Sequence, residues 1–205
     1  HPQIVTREEW EAALERLLAD APADKGKLIV SDGVFSMVGD MVDLPRLRDL
    51  ADKYGAALCI DDAHGIGVIG EGGRGTASHF GVEVELLTGT FSKSLGSLGG
   101  FVAGARQVVD FVKYTARSMI FSAAMTPSNA AAALAALEVM KTERQHIRNL
   151  QETVEYMRQG LRRLGVDVHG HPSAIIPIVI GGDMETFAMW RRLFDEGVFV
   201  NAVVA

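Results

Sequence analysis

Cysteine is nearly missing: Cys59 stands alone in 205 residues, which excludes an intrachain disulfide framework. Its neighbours, Ala56-Ala57-Leu58 before it and Ile60 after it, predict a buried strand. The thiol reads as a small core residue, since nothing cationic flanks it to make it reactive. Basic runs are missing too. No run of Lys or Arg exceeds two residues, and 20 basic side chains face 26 acidic ones for a net charge of -6. That balance argues against a nucleic-acid footprint and a polybasic membrane patch. No apolar run reaches the roughly 18 residues that a membrane-spanning helix needs. His1-Pro2-Gln3 has no signal-peptide pattern, so a soluble cytoplasmic protein is the expectation. There is no internal repeat, no Cys/His spacing for zinc, and no G-x-G-x-x-G after a strand.

What is there is core material. At 48% hydrophobic and 22% charged, the chain can bury a sizeable interior as one domain or two small ones. Helical and strand patterns alternate. Trp10, Leu14, Leu17 and Leu18 share a helical face behind a candidate capping box, Thr6 with Glu9. Residues 28–30 predict a strand running into Ser31-Asp32-Gly33. Leu44–Tyr54 predicts a helix with Pro45 in its first turn and Gly55 as its stop. Residues 57–60 and 86–88 predict further strands. Strand, helix, strand at this spacing implies parallel strands joined by right-handed crossovers, an α/β sheet. Beyond Pro127 a long alanine-rich helical stretch, with room for a break, should run to Leu164 and stop at Gly165. Residues 175–180 and 198–200 then predict strands around a helix over 185–194. The expected organisation is part of a large domain over 1–126, a connecting helical region over 127–164, and part of a smaller α/β domain over 165–205.

Polar residues bunch after apolar strands three times: near Ser36, at Asp61 and His64, and at Thr90 and Lys93. In open α/β sheets, ligands bind beyond the carboxyl ends of the strands, so one site built from three strand ends is the economical reading. Lys93 lies in Gly89-Thr90-Phe91-Ser92-Lys93-Ser94-Leu95-Gly96. A phosphate-cradling P-loop would want glycine directly before the lysine, where Ser92 stands. A Schiff-base lysine, with Thr90 and Ser92 hydroxyls offered to a phosphate, fits better. A solvated surface loop stays open on these residues alone. Asp61-Asp62 is a poor magnesium site without further carboxylates. Either aspartate suits the acidic partner that a protonated pyridine nitrogen requires, and His64 suits a ring hydroxyl.

Asp32-Gly33-Val34-Phe35-Ser36-Met37, Asp61-Asp62-Ala63-His64-Gly65 and Thr90-Phe91-Ser92-Lys93, in this order and spacing, resemble the α-oxoamine synthases. These are fold-type I enzymes of pyridoxal 5'-phosphate (PLP) that condense an amino acid with an acyl-CoA. The resemblance covers essentially the whole chain. It implies a mainly parallel sheet of a large PLP-binding domain and the start of a smaller C-terminal α/β domain. It also implies that Lys93 carries the cofactor as a Schiff base and that Asp61, not Asp62, pairs with the pyridine nitrogen. His64 and Ser36 would contact the ring hydroxyl, and Thr90 and Ser92 the phosphate. Ser122, in Ile120-Phe121-Ser122-Ala123, matches a hydroxyl that reaches the neighbouring subunit's phosphate, which implies a homodimer. The ring-stacking His and first phosphate loop of the family lie upstream of such a segment and its carboxylate-binding Arg downstream. The expectation is therefore a part of an enzyme of about twice this length.

Residues 89–101, 117–125 and 193–201 resemble the bacterial serine palmitoyltransferase-like branch most, which implies L-serine and an acyl-CoA as substrates and sphingolipid biosynthesis as the setting. The alternatives within the family are 8-amino-7-oxononanoate synthase and 2-amino-3-ketobutyrate CoA ligase. A non-catalytic partner subunit of the same fold is the alternative of another class; the retained Lys93 speaks against it.

Overall fold

The computed structural model describes residues 7–168 and 173–204. Thr6, and with it the candidate capping box, lies outside them. Helix α1 (Arg7–Asp20) precedes strand β1 (Lys27–Asp32), helix α2 (Leu44–Tyr54), strand β2 (Ala56–Asp61), helix α3 (Thr76–Phe80) and strands β3 (Leu86–Thr90) and β4 (Gly100–Gly104). Helices α4 (Arg106–Thr115), α5 (Arg117–Ile120), α6 (Pro127–Thr142), α7 (Gln145–Arg163) and α8 (Asp183–Asp195) follow. Among the described residues there is one sheet, in the order β1-β2-β3-β4. The first three strands are parallel, and β4 turns back antiparallel on β3.

Strand alternation divides the sheet into two unlike faces. On one face Ile29, Leu58, Ile60 and Leu87 pack with Leu18 of α1 and with Leu44, Leu47, Leu50 and Ala51 of α2. Leu44, Leu58 and Ile60 are fully buried there, each stabilising the fold by about 1.5–3 kcal/mol. α2 reaches this face because its apolar side chains recur at helical spacing and both its ends are fixed. Asp43 caps it by accepting the Arg46 N–H at 3.1 Å, and Gly55 leaves it in the left-handed region at φ 62°. On α1 the packed stripe is Trp10, Leu14 and Leu18, in steps of four. Leu17, expected on that face, is 65% exposed, because one residue turns the helix by about 100°.

The opposite face carries Leu28, Val30, Cys59, Leu86 and Val102, with Leu28 and Val30 exposed among the described residues. Cys59 therefore sits half-buried on the second face and not in the core. Burial, and then the negative charge of Asp61, push its thiol above the ordinary value, so it stays protonated and unreactive.

The base of the sheet is closed by a side chain. β3 pairs with β2 only from Cys59 onward, and Glu85 fills the missing rung by accepting the Leu58 N–H at 2.7 Å and an Arg48 N–H at 3.0 Å. Burial alone would raise the Glu85 carboxyl; the hydrogen bonds from Leu58 and Arg48 outweigh it and hold the group below its usual value. Glu85→Ala should cost about 1–3 kcal/mol in denaturant melts, toward the lower end because the side chain is 45% exposed. The sign of the pH effect follows from the lowered folded-state pKa: the contribution is present above the unfolded carboxylate value and is lost as pH falls through the folded one.

The expected long helix is α6 and α7, broken at Glu143-Arg144 and ended before Gly165 at φ 77°. The strands expected over 175–180 and 198–200 are not formed. A strand exists by pairing, and neither segment meets a neighbour that extends a ladder among the described residues. Ile175 packs against Val34, Met41 and Ile69 instead. β4 was not expected from the sequence, since a five-residue strand flanked by Gly99-Gly100 and Gly104 lacks the usual apolar alternation.

Candidate functional site

The carboxyl ends of β1, β2 and β3 come level. Asp61 is in register with Asp32 on one side and Thr88 on the other, and alternation puts all three, and Thr90, on the uncovered face. Asp61 is exposed and accepts the Ala63 N–H at 2.9 Å, while its neighbour Asp62 is fully buried. Asp62 turns to the other side, where one carboxylate oxygen accepts the Thr76 N–H at 2.7 Å and the other the Thr76 hydroxyl at 2.6 Å. The two aspartates thus divide the work. Asp61 faces the site, and Asp62 staples the loop after β2 to the start of α3.

That loop presents His64, and the segment after β3 presents Lys93. Phe91 N–H donates to Gly99 at 2.9 Å, Ser97 N–H to Phe91 at 2.7 Å, and Gly96 N–H to Lys93 at 3.0 Å, closing a compact turn. The turn is pinned from outside by the Ser94 hydroxyl on the Ile66 carbonyl and the Ser97 hydroxyl on the Asn129 carbonyl, both at 2.7 Å. Gly67 is required beneath Ser94: a Cβ there would lie 2.5 Å from the Ser94 Cβ. The exposed Lys93 amine consequently stands on a fixed base. Lys93 and His64 line one cleft of about 110 Å³, together with Val34, Ala63, Ile66 and Ile175. Burial, and next the Lys93 charge, lower the His64 pKa, against the opposing pull of Asp32 and Asp61. His64 is therefore neutral near pH 7. Lys93→Ala should raise the His64 pKa in an NMR titration of the ring, and an unmoved curve would mean that the two groups do not face each other.

Thr90 and Ser92 form the third corner. Their hydroxyls are 2.7 Å apart and the Ser92 N–H donates to the Thr90 hydroxyl at 3.1 Å. The Thr90 hydroxyl also donates to the Gly99 carbonyl at 3.1 Å. The donor set at these strand ends is one amine, one imidazole, the carboxylates of Asp61 and Asp32, and two hydroxyls. It offers a partner to the aldehyde, ring hydroxyl, ring nitrogen and phosphate of the cofactor that the resemblance implies, so the residues present fit that group.

Of the expected residues the structure brings only His64 and Lys93 into the lining of this cleft; Asp61, Thr90 and Ser92 stand at the adjoining strand ends. Ser36 lies exposed in the turn that closes with Phe35 N–H on the Asp40 carbonyl at 2.8 Å; the cleft is lined by Val34 of that segment and not by Ser36. Ser122 is on the outside, its hydroxyl donating to the Ser118 carbonyl, amid the exposed Met119, Ile120, Phe121 and Met125. Two contributors were not expected. Asp32 shares the face of Asp61 and acts on His64; its place at the end of β1 was the available signal. Residues 173–175 reach the cleft from a distant part of the chain, held by the buried Ser173 hydroxyl on the Gly39 carbonyl at 2.6 Å, a contact 134 residues apart in sequence that no local pattern announces.

A profile for aminotransferases of class I and II matches residues 7–204. A serine palmitoyltransferase of Sphingobacterium spiritivorum is 51% identical over 200 residues, which are 97% of this chain and 49% of that protein. An 8-amino-7-oxononanoate synthase of Petrotoga mobilis is 39% identical over 196 residues, 94% of this chain and 50% of that protein. Among solved structures, a variant serine palmitoyltransferase of S. paucimobilis with PLP and myriocin bound superposes with a TM-score of 0.88 at 31% identity, covering 93% of this chain and 50% of that one. The chain spans about half the length of the curated relatives it matches. The resemblance read from the three motifs, and the fold class with it, are borne out.

Proposed function

The chain belongs to the class I and II aminotransferase family, and from that premise we propose that it forms the lysine-bearing part of a PLP-dependent C-acyltransferase. The reaction joins a small amino acid, L-serine in the first instance, to an acyl-CoA and releases CoA and carbon dioxide to leave an α-amino ketone. The observation that carries this reading is the pinned Lys93 sharing one cleft with His64, with Asp61 exposed at the neighbouring strand end. The serine palmitoyltransferase relative, at 51% identity, favours serine over the alanine of the 39% identical synthase.

Bound PLP supplies an electron sink for the charge left on the amino acid's α-carbon once its proton is removed. This chain's residues do the rest. Lys93 would hold the cofactor, and its amine would take up the α-proton of the amino acid. The Asp61 carboxylate, on the uncovered face, would keep the ring nitrogen protonated. His64, held neutral, hydrogen-bonds the ring hydroxyl, with Ser36 a second candidate. Thr90 and Ser92 hold the phosphate by their hydroxyls and the Ser92 loop.

A second copy of the chain completes the proposal. Phe111, Tyr114, Met119, Ile120 and Phe121 form an exposed apolar run, Phe121 at 84%, of the kind that marks an interface. Ser122 within it would serve the partner's phosphate in a homodimer. No helix of the described residues is long and apolar enough to cross a membrane, and the cytoplasm is the proposed compartment.

In the full-length protein, borohydride reduction and peptide mapping should place the phosphopyridoxyl group on Lys93; finding it on another lysine would sink the assignment. Serine, alanine, glycine and threonine should be paired with palmitoyl-, pimeloyl- and acetyl-CoA while CoA release is followed. Serine with palmitoyl-CoA is the expected best pair. Alanine with pimeloyl-CoA would select the 8-amino-7-oxononanoate synthase reading, and glycine with acetyl-CoA the ketobutyrate ligase. A PLP-loaded protein that releases no CoA with any pair would be the non-catalytic subunit.

A further inference from the structure

Ser173 is 1% exposed, although the residues that follow it form neither helix nor strand. A buried hydroxyl in irregular backbone needs partners. It has them in the Gly39 carbonyl, to which it donates at 2.6 Å, and in the Ile175 N–H, from which it accepts at 3.3 Å. Gly39 lies in the turn between Val34 and Met41, which pair as an isolated antiparallel bridge. The turn is closed by Gly39 N–H on the Phe35 carbonyl and Phe35 N–H on the Asp40 carbonyl, both at 2.8 Å. Gly39 has φ 70°, and a Cβ there would stand 2.5 Å from the Ile175 carbonyl oxygen and 3.1 Å from the Ser173 hydroxyl. Two distant segments therefore interlock at one point. Beside it, Ser173, Ala174 and Ile175 join Val34, His64 and Lys93 in the lining of the cleft.

We propose that Ser173 is a positioning residue for the Lys93 cleft: its bond to Gly39 is a latch that holds Ala174 and Ile175 as a wall of the cleft. The same bond fixes the turn over 34–41, which carries Ser36. The proposal rests on the PLP reading above, because the wall matters only if the cleft holds a group through Lys93. Packing alone does not set the wall. Ile175 lies against Val34, Met41 and Ile69, but apolar contact is non-directional and lets a segment slide. No strand ladder holds residues 174–180. A short hydrogen bond fixes both distance and direction. Ser173 acts through this wall and not on the reacting atoms. With the latch open, water reaches His64, whose pKa is lowered first of all by burial, and a cofactor held at Lys93 is released faster.

The test opens the latch from its two sides. Ser173→Ala removes the donor, and Gly39→Ala drives a methyl group into the Ile175 carbonyl. Gly55→Ala is the control, since it adds the same kind of backbone strain at φ 62° with nothing within 4 Å of the new Cβ. In the full-length, PLP-loaded protein, amide hydrogen exchange should speed up in peptides covering 34–41 and 174–178 for both latch variants and not for the control. PLP should pass to a trapping apoenzyme about tenfold faster, the upper scale of one lost hydrogen bond. Before PLP is added, the His64 ring should titrate higher by NMR in both variants, with Lys93, Asp32 and Asp61 all retained. Either latch variant decides the matter if the other does not fold. Unchanged exchange and release, or an equal change in Gly55→Ala, would overturn the proposal. So would exchange raised equally in β1, β2 and β3, because the bond would then hold the fold and not the wall. Exchange raised as expected in a protein whose Lys93 takes up no PLP would overturn the cofactor reading and leave the latch assigned.

Discussion

Gly65→Ala should leave no folded protein to assay, whereas Gly55→Ala should lower stability by only about 1–2 kcal/mol. The contrast separates two reasons for glycine. Gly55 ends α2 at φ 62°, and a Cβ there would meet nothing within 4 Å. Its cost is backbone strain alone. Gly65 has no positive φ, so its backbone would accept any residue. Its Cβ, however, would lie 1.9 Å from a carboxylate oxygen of Asp62 and 2.8 Å from the Thr76 hydroxyl. Gly75 meets the other Asp62 oxygen at the same 1.9 Å, and Gly33 meets the first at 2.7 Å. The buried carboxylate thus sits in a cradle whose walls are glycine backbone on three sides. It cannot retreat, because both its oxygens are committed to Thr76. A methyl group would have to break those bonds and displace the glycine backbone around them, which together reach the roughly 4–5 kcal/mol that marks exceptional point mutants. Thermal melts of soluble protein, or its absence from the soluble fraction, decide the matter. A Gly65→Ala protein that melts near the unaltered temperature would show that the cradle yields.

Asp62 also shows where sequence reading stops. That one of two adjacent aspartates faces a ligand and the other does not follows from strand alternation, which the run Leu58-Cys59-Ile60 makes legible. That the inward one meets Thr76, 14 residues on, depends on how the intervening glycine-rich loop returns, and no short-range pattern encodes that path. The same division runs through the fold. α2 with Pro45 in its first turn and Gly55 as its stop, the parallel strands and a break in the long helical stretch were readable, because apolar spacing and turn residues act locally. β4 and the failure of residues 175–180 to become a strand were not, because pairing depends on which neighbour arrives. The three strand-end clusters were readable for the same local reason; of their residues His64 and Lys93 line one cleft, Asp61 and Thr90 lie on the same face of the sheet, and Ser36 stays outside the cleft. Residues 173–175 joined that site through Ser173 and Gly39, a long-range contact.

Asp61→Asn and Asp62→Asn, isosteric changes at adjacent positions, should give opposite phenotypes in the full-length enzyme. At position 61 the side chain is exposed at the strand ends, and in the proposed reading its charge is the asset. An amide cannot hold a proton on a neighbouring ring nitrogen, so Asp61→Asn should keep the fold and some PLP yet lose roughly a hundred- to a thousandfold in kcat, the scale of removing one preorganised electrostatic partner. At position 62 the charge is a burden. Burial raises the Asp62 pKa, only partly opposed by the Thr76 hydroxyl and N–H, and the nearby Asp61 raises it further. A carboxyl whose folded-state pKa is raised favours the folded form below the unfolded value, and that contribution is lost as pH rises through the folded one. Asp62→Asn removes this loss at neutral pH. It can still accept from the Thr76 N–H and pair with its hydroxyl, so stability at pH 7 should change by less than about 1 kcal/mol and activity should persist. Asp62→Ala, by contrast, leaves two buried Thr76 donors unpaired, at about 1–3 kcal/mol each. The reading is checked by kcat and by denaturant melts at pH 5 and pH 8 for all three variants. An active Asp61→Asn beside an inactive, well-folded Asp62→Asn would reverse the two roles.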